Sequence, residues 1–289
     1  MPDKIEMKVH VEAPPARVFE ALTESSELEQ WFAEKAFVSQ EEKRYDFWGR
    51  FTPGAPGEDD GRHRLVVYEA DAKLGFDWRF RGDDTRVDIA LEPTAKGTLL
   101  KLEQHIPARS KTECSVGDFW LLSFENLRRF VEDGATAVRC DYSTAPRGSV
   151  ELVVDIGAPR EEVFRALTVP EQINRWIAKN ASIELEVGGR FDYGWDGEGP
   201  VKIVELFPNE KLVHTWRHGS DPETITSWTL EGSGGRTRLH LVHSGFGDDR
   251  GTEDFRTGWL KHIVWLKSML EKGDAWRGPE LVSADWDEV

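Results

Sequence analysis

The chain repeats one pattern twice, at a spacing of 145 residues. Residues 5–33 (IEMKVHVEAPPARVFEALTESSELEQWFA) align without a gap with residues 150–178 (VELVVDIGAPREEVFRALTVPEQINRWIA), and 11 of the 29 positions are identical. A repeat of this length has the size of a whole domain, whereas solenoid repeats span about 20–45 residues. The sequence therefore predicts two domains of the same fold in tandem.

Later segments also match, at a slightly shorter spacing, and a polar connector separates the two copies. Residues 76–80 (FDWRF) align with residues 214–218 (HTWRH). The segment STAPRGS at residues 143–149 is rich in turn-forming and polar residues, as expected of a linker. We expect a first domain at residues 1–142, a second at residues 149–274 and an acidic tail at residues 275–289. The tail would form a surface strap, a frayed end or a partner-binding peptide.

Each copy contains the same order of predicted elements. A strand with alternating apolar residues, such as Met7, Val9 and Val11, ends at Ala-Pro. Apolar residues at helical spacing then predict two short helices, the second of which ends at Trp31 or Trp176. About five strands and one long amphipathic helix follow. This order predicts an α+β fold in which a curved antiparallel sheet surrounds a long carboxy-terminal helix.

Composition excludes several classes of partner. The net charge of −16 disfavours nucleic acid and anionic membrane surfaces, because both carry negative charge. No apolar run approaches the roughly 18 residues of a membrane span, and no signal peptide is evident, so we expect a cytoplasmic protein. Cys114 and Cys140 are too few for a disulfide framework and are interpreted as free thiols.

Several segments of the second copy resemble a known superfamily. APREEVFRALTVPEQINRWIA, GGRFDYGW, EKLVHTWRH and TRLHLVHSGFGDD are similar, in this order, to the helix-grip (START-like, SRPBCC) superfamily, in the branch of the activator of heat-shock protein 90 ATPase. The resemblance covers nearly all of residues 150–273 and is looser over residues 5–134. It implies an apolar cavity under the long helix that binds hydrophobic molecules. Some relatives are cyclases or hydrolases, and others bind a chaperone.

Strand alternation selects candidate site residues. Side chains alternate between the two faces of a strand, so His214 and Trp216 share the interior face with Leu212, and His243 shares the face of Leu239. Alignment of the two copies with each other and the aromatic residues of neighbouring segments complete the candidate ligand-binding set. Its members are Tyr193, Trp195, His214, Trp216, Trp228, His243 and Trp259 in the second copy, and Phe76, Trp78 and Trp120 in the first.

The histidines have three possible roles. His214 and His218 stand about 13 Å apart along a strand, too far to share a metal ion, and His240 and His243 face opposite sides of their strand. We therefore expect no metal site, and we also expect no cofactor. His214 and His243 are candidate acid–base groups, but the sequence shows no orienting partner for them. A hydrogen-bonded wall residue is the favoured interpretation, and ligand contact is the main alternative.

Three functions remain open at this point. The first is a non-catalytic protein that binds an apolar or aromatic small molecule between sheet and helix. The second is a cyclase- or hydrolase-type enzyme that uses His214 or His243. The third is an interaction module that acts as a chaperone cofactor through its acidic surface and tail.

Overall fold

The protein forms two compact units. The first unit runs to Thr144 and takes in the segment from Gly278, and the second extends from Ala145 to Arg277. The change of unit falls inside the polar segment STAPRGS. The computed structural model describes residues 4–80, 82–105, 116–195, 200–217 and 221–282.

The first unit combines an antiparallel sheet with two short helices and one long helix. Its elements are β1 (Lys4–Val11), α1 (Pro15–Thr23), α2 (Ser25–Trp31), β2 (Lys35–Ser39), β3 (Arg44–Trp48), β4 (Arg64–Glu69), β5 (Lys73–Phe80), β6 (Asp83–Thr94), β7 (Gly97–His105) and α3 (Val116–Asp133). The strands lie in the order β1-β7-β6-β5-β4-β3-β2. Consecutive strands from β2 to β7 are therefore neighbours, and β1 pairs with β7.

The second unit repeats this arrangement. Its elements are β8 (Ser149–Ile156), α4 (Arg160–Thr168), α5 (Pro170–Ile173), β9 (Ser182–Ile183), β10 (Arg190–Asp192), β11 (Val201–Phe207), β12 (Lys211–Trp216), β13 (Thr224–Glu231), β14 (Thr237–Ser244) and α6 (Glu253–Lys272). The strand order is β8-β14-β13-β12-β11-β10-β9. The two sheets thus share one topology.

The first short helix begins and ends in the same way in both units. Pro14 and Pro159 directly precede α1 and α4 and have extended backbone angles. Proline has no backbone N–H, so it ends the preceding strand without leaving an unpaired donor. At the other end Thr23 and Thr168 each donate a 2.7 Å hydrogen bond to the carbonyl four residues earlier. The repeated sequence therefore encodes repeated local structure.

The second short helix differs between the units. α2 ends at Trp31 as predicted, but α5 ends at Ile173, before Trp176. The Trp176 amide bonds to the Ile173 carbonyl only three residues back, which tightens the chain into a turn. Both indoles still donate to the same place, the carbonyls of Ala21 (2.8 Å) and Ala166 (3.0 Å). These tryptophans anchor a corner of each unit.

The long helices pack on the interior face of each sheet. In the second unit the ring centroid of Trp259 on α6 lies 4.9 Å from Trp216 and 5.3 Å from Trp228. In the first, Trp120 on α3 lies 5.7 Å from Trp78. Within the described ranges, neither these helices nor the short ones combine the length and apolar character needed to cross a membrane. The predicted tandem of helix-grip domains is confirmed.

Part of the carboxy-terminal tail adds to the first sheet. β15 (Glu280–Leu281) pairs antiparallel with β1, and the Val282 amide donates to the carbonyl of Glu6 at 2.8 Å. Lys8 on β1 forms an ion pair of 2.9 Å with Glu280. Residues 283–289 of the predicted tail lie outside the described residues.

Candidate functional site

The seven candidate residues of the second unit meet in one group, buried except for half-buried Trp195, which we call the aromatic cluster: Tyr193, Trp195, His214, Trp216, Trp228, His243 and Trp259. Trp216 lies at its centre. The centroid of its ring lies 4.9 Å from that of Trp259, 5.5 Å from Trp195, 5.6 Å from His243, 5.8 Å from Tyr193 and 6.5 Å from His214. Sequence reasoning therefore selected residues that are neighbours in space.

Strand register brings the two histidines of the cluster to one place. His214 on β12 and His243 on β14 both pair with Thr226 on β13, from opposite sides. Alternation turns all three side chains, and Trp228 two residues along β13, toward the interior. The polar groups of three adjacent strands thus face α6 together.

His214 is fully buried and held as a neutral ring. Its Nδ1 lies 2.8 Å from the carbonyl of Thr215, and a carbonyl only accepts, so Nδ1 carries the proton. Nε2 then accepts from the Trp228 indole and the Tyr193 hydroxyl, each at 3.3 Å. The ring also stacks on Phe191 with centroids 4.5 Å apart. Burial lowers the pKa of His214 to about 4.

His243 links the long helix to the sheet. The Trp259 indole donates to its Nδ1 at 2.8 Å, so Nε2 carries the proton and donates to the Thr224 hydroxyl at 2.8 Å. Thr224 in turn donates to the carbonyl of Trp216 at 3.4 Å. Burial lowers the pKa of His243 to about 3. His240 faces the other side of β14 and is half-exposed.

The first unit contains the same chain of hydrogen bonds with glutamine in place of histidine. The Trp120 indole donates to Gln104 Oε1 at 2.6 Å, the Gln104 amide donates to Thr85 at 3.0 Å, and Thr85 donates to the Trp78 carbonyl at 2.8 Å. Phe76 occupies the place of His214 and is buried among apolar rings. The three first-unit candidates therefore lie together in the core of their own unit.

Trp195 forms the accessible side of the aromatic cluster. It is half-buried, stacks on Tyr193 with centroids 4.8 Å apart, and donates from its indole to the carbonyl of Ile177 at 2.9 Å. Gly194 before it has a φ of +73°, and a Cβ there would meet the carbonyl oxygen of Asn180 at 2.6 Å. Glycine is therefore required for the turn that directs Trp195 toward α6.

Sequence reasoning missed His262 on α6. Its ring stacks on Trp195 with centroids 6.0 Å apart and contacts Trp176 at 6.5 Å. Burial holds the pKa of His262 well below its usual range. A signal was available, because residues three apart on a helix share a face and Trp259 precedes His262 by three.

Three buried polar atoms near the cluster have no hydrogen-bond partner among the described residues: Thr226 Oγ1, His262 Nδ1 and Trp216 Nε1. The indole of Trp78, which corresponds to Trp216, is also unpartnered in the first unit. That feature therefore belongs to the shared fold, whereas the unpartnered atoms of Thr226 and His262 are particular to the second unit. Sequence reasoning also missed Thr226, although it shares the interior face with Trp228.

The cluster supplies neutral groups to any reaction or ligand. Proton transfer by His214 or His243 would start from rings whose pKa values lie far below neutrality and whose nitrogens already serve hydrogen bonds, whereas a general base works best near the ambient pH. In the described part of the chain, no group of three His, Cys, Asp or Glu side chains is placed to hold a metal ion. His218 lies outside the described residues.

Two hollows in the first unit differ from this cluster. A cavity of about 10 Å³ beside α3, lined by residues such as Trp31 and Phe119, admits no more than one water molecule. A groove of about 510 Å³ on the outer face of the sheet is lined by charged residues such as Lys8 and Glu103 and by apolar ones such as Val67 and Val282. No residue of the aromatic cluster lines either hollow.

Comparison with known proteins gives a curated relative and several solved structures. The mouse protein named "Activator of 90 kDa heat shock protein ATPase homolog 2" is 29% identical over 115 residues, which are 38% of this chain. The chain covers only 34% of that relative's length.

Two of the solved structures that match have these identities and coverages. The solution structure of the Aha1 dimer from Colwellia psychrerythraea is 25% identical, with a TM-score of 0.38, and the match covers 44% of this chain and 98% of that one. The crystal structure of DynU16, from the dynemicin biosynthetic locus, is 20% identical, with a TM-score of 0.39, and covers 94% of this chain and 99% of that one.

One family matches both units separately. Residues 12–132 and residues 157–271 each match the family described as "Activator of Hsp90 ATPase homolog 1-like protein". Together the two segments cover most of the chain, and each spans the elements from the first short helix to the long helix. The chain therefore belongs to the Activator of Hsp90 ATPase homolog 1-like family, as a tandem of two helix-grip units.

Proposed function

We propose that the protein is a non-catalytic binding protein for an apolar, aromatic small molecule, which the second unit holds between its sheet and α6. The observation that carries this proposal is a set of polar side chains turned into an aromatic interior without full pairing. Thr226 Oγ1 and His262 Nδ1 are buried and have no hydrogen-bond partner among the described residues. Leaving such an atom unpaired costs about 1–3 kcal/mol. A bound molecule that pairs with them would recover this free energy.

The composition of the cluster specifies the kind of ligand. Its walls are aromatic rings, and apolar burial contributes about 25 cal/mol per Å² of surface removed from water. The histidines that face the interior are neutral because burial lowers the pKa of His214 to about 4 and that of His243 to about 3. Neutral donors and acceptors in an apolar interior favour an uncharged ligand over an ion.

Titration with naphthalene, followed through the indole N–H signals of the protein by NMR, tests the proposal. We expect the signals of Trp195, Trp216 and Trp259 to shift, since their rings form the wall. The signals of Trp78 and Trp120 in the first unit should stay in place. Equal shifts in both units, or shifts in neither, would contradict a site in the second unit.

A chaperone-cofactor function is the second candidate, because the family and the mouse relative are named for activation of a 90 kDa heat-shock protein ATPase. The net charge of −16 would favour a basic surface on the partner. Co-sedimentation with a 90 kDa heat-shock protein at low and at high salt tests it. Charge-driven binding should weaken as salt rises, and no binding at low salt would end this candidate.

A further inference from the structure

We infer that the open edge of β8 in the second unit is a docking site for an extended, basic segment of a partner protein. The segment adds to the sheet as one more antiparallel strand, and its main chain supplies the hydrogen bonds. It places an apolar residue, a leucine and then a basic residue opposite Val153, Leu152 and Glu151. This site is separate from the aromatic cluster and does not depend on the binding of a small molecule there.

The first unit shows what an edge of this kind accepts. Its corresponding strand, β1, pairs on that side with β15, where Met7 lies opposite Leu281. The Val282 amide adds a 2.8 Å hydrogen bond to the carbonyl of Glu6. In the described part of the second unit, β8 pairs with β14 alone and forms the end of its sheet. The place that β15 takes in the first unit is therefore open in the second.

The backbone groups of Glu151 and Val153 face this open edge. Glu151 aligns with Glu6, whose carbonyl faces β15, and alternate residues of a strand direct their N–H and C=O groups to the same side. The next carbonyl on that side, of Asp155, already accepts a 2.7 Å hydrogen bond from Lys267. The open stretch is therefore short and has the same position in β8 as the stretch of β1 that β15 covers.

Among the inward-facing residues of β1 and β8, burial differs at one position. Met7, opposite Leu281, is 1% exposed, whereas the corresponding Leu152 is partly exposed. Its neighbour Val153, on the outer face, is 55% exposed. Residues directly opposite each other on paired strands are in contact. A leucine at the place of Leu281 would thus cover Leu152, and an apolar residue just before it would cover Val153.

Charge favours a basic segment over a second copy of this chain. Glu151 is exposed, and its neighbour on β14 is the uncharged Val242, so a lysine or arginine opposite Glu151 would form an ion pair. A second copy of β15 fits poorly. It would set Glu280, which pairs with Lys8 at 2.9 Å in the first unit, against the apolar Val153. The net charge of −16 also opposes the approach of a second copy.

Two synthetic peptides test the inference on the full-length protein at low salt. The basic peptide has the sequence of residues 277–284 with the changes Glu280→Val and Val282→Lys. The acidic peptide is the same except that glutamate replaces the new lysine. We expect the basic peptide to bind about five-fold more tightly than the acidic one, because opposite charges across paired strands attract and like charges repel.

Backbone amide NMR locates the bound peptide. With the basic peptide, the amide signals of Glu151 and Val153 should shift in a saturable way. The amide signals of Glu6 and Lys8 are the control within the same chain and should stay in place, because β15 already covers that stretch of β1.

Matched variants separate strand addition from charge. Val153→Pro removes the N–H that faces the edge and leaves the bonds to β14, so it should weaken the basic peptide at least about ten-fold. Val153→Thr keeps the N–H and suits a strand, and should bind this peptide within about three-fold of the wild type. Glu151→Lys should reverse the preference and bind the acidic peptide more tightly, a result that does not require the proline variant to fold.

Four results would overturn the inference. If neither peptide shifts the Glu151 and Val153 signals, β8 is not a docking edge. Equal affinity for the two peptides would exclude a basic partner, and undiminished binding to Val153→Pro would exclude strand addition. Shifts of these signals with protein concentration alone would assign the edge to a second copy. The naphthalene titration reports on the aromatic cluster and tests the proposed function independently of these results.

Discussion

The two units join their long helix to their sheet by the same chain of hydrogen bonds, but with different side chains in the middle. The first unit uses Gln104 between Trp120 and Thr85, and the second uses His243 between Trp259 and Thr224. The amide and the neutral imidazole each accept from the indole and donate to the threonine. Their equivalence indicates that His243 has a structural role that does not require a proton to be transferred.

The same comparison at the neighbouring strands shows where the units diverge. The interior positions of Phe76 and Val87 in the first unit correspond to His214 and Thr226 in the second. In each unit the two residues are paired on adjacent strands, so the second unit has a polar pair where the first has an apolar pair. Shared positions thus hold the fold together, and the divergent positions distinguish the interior of the second unit.

Acidification should separate the two units most strongly. His214 and His243 have lower pKa values in the folded than in the unfolded chain, so protons favour unfolding as the pH falls below about 6.5. Between pH 7 and pH 5 each should remove about 2 kcal/mol from the free energy of unfolding of the second unit. The first unit has one comparable histidine, His63, with a pKa of about 4. Urea denaturation at both pH values, followed through indole N–H signals, measures this.

Two features of that experiment would contradict the interpretation. The second unit should lose at least twice as much stability as the first, because His262 adds to the effect of His214 and His243, so equal losses would show that these histidines are not buried and neutral. The free energy of unfolding should also be constant above about pH 7, because these imidazoles are neutral there in both the folded and the unfolded chain.

Replacing His243 by leucine should destabilise the second unit by about 3 kcal/mol. The substitution leaves the Trp259 indole and the Thr224 hydroxyl buried without this partner, and each loss costs about 1–3 kcal/mol. Gln104→Leu is the matched change in the first unit and should have a similar effect there. Urea denaturation of both variants measures the losses. If only one of them loses stability, the two hydrogen-bond chains are not equivalent.

His214→Phe introduces the residue that the first unit already has. We expect a loss of about 1–2 kcal/mol in the second unit, because the Trp228 indole and the Tyr193 hydroxyl lose their acceptor. Differential scanning calorimetry measures this. The reverse change, Phe76→His, is the control and should destabilise the first unit more, since Val87 and Ile89 offer the new imidazole no partner. No loss in His214→Phe would mean that its hydrogen bonds to Trp228 and Tyr193 are not formed in solution.

His243→Gln should have the smallest effect, less than about 1 kcal/mol, because Gln104 makes the same bonds in the first unit. The variant should also lose part of the acid sensitivity of the second unit, since glutamine does not titrate. Urea denaturation at pH 7 and pH 5 measures both effects. A loss as large as that of His243→Leu would sink the equivalence of amide and imidazole.

Much of the fold followed from local patterns. The duplication, the strand that ends at Ala-Pro and the alternation that turns His214 and Trp216 inward are properties of short segments, and all appear in the structure. The early end of α5 was not predicted, because its sequence gives no strong stop signal at Ile173. His262 was missed although it follows Trp259 by three residues on α6, because that spacing places it beside Trp259 but does not tell that this side of the helix meets Trp195.

The sequence by itself determined the family, the tandem of two units and the inward face of each strand, because these depend on repeats and on side-chain alternation along the chain. Only the tertiary structure decided which polar atoms are paired. His243, Thr224 and Trp259 lie on different elements, and so do His262 and Trp195. Hydrogen bonds act over about 3 Å, so their pairing depends on how strands and helices pack, which short-range sequence patterns do not encode.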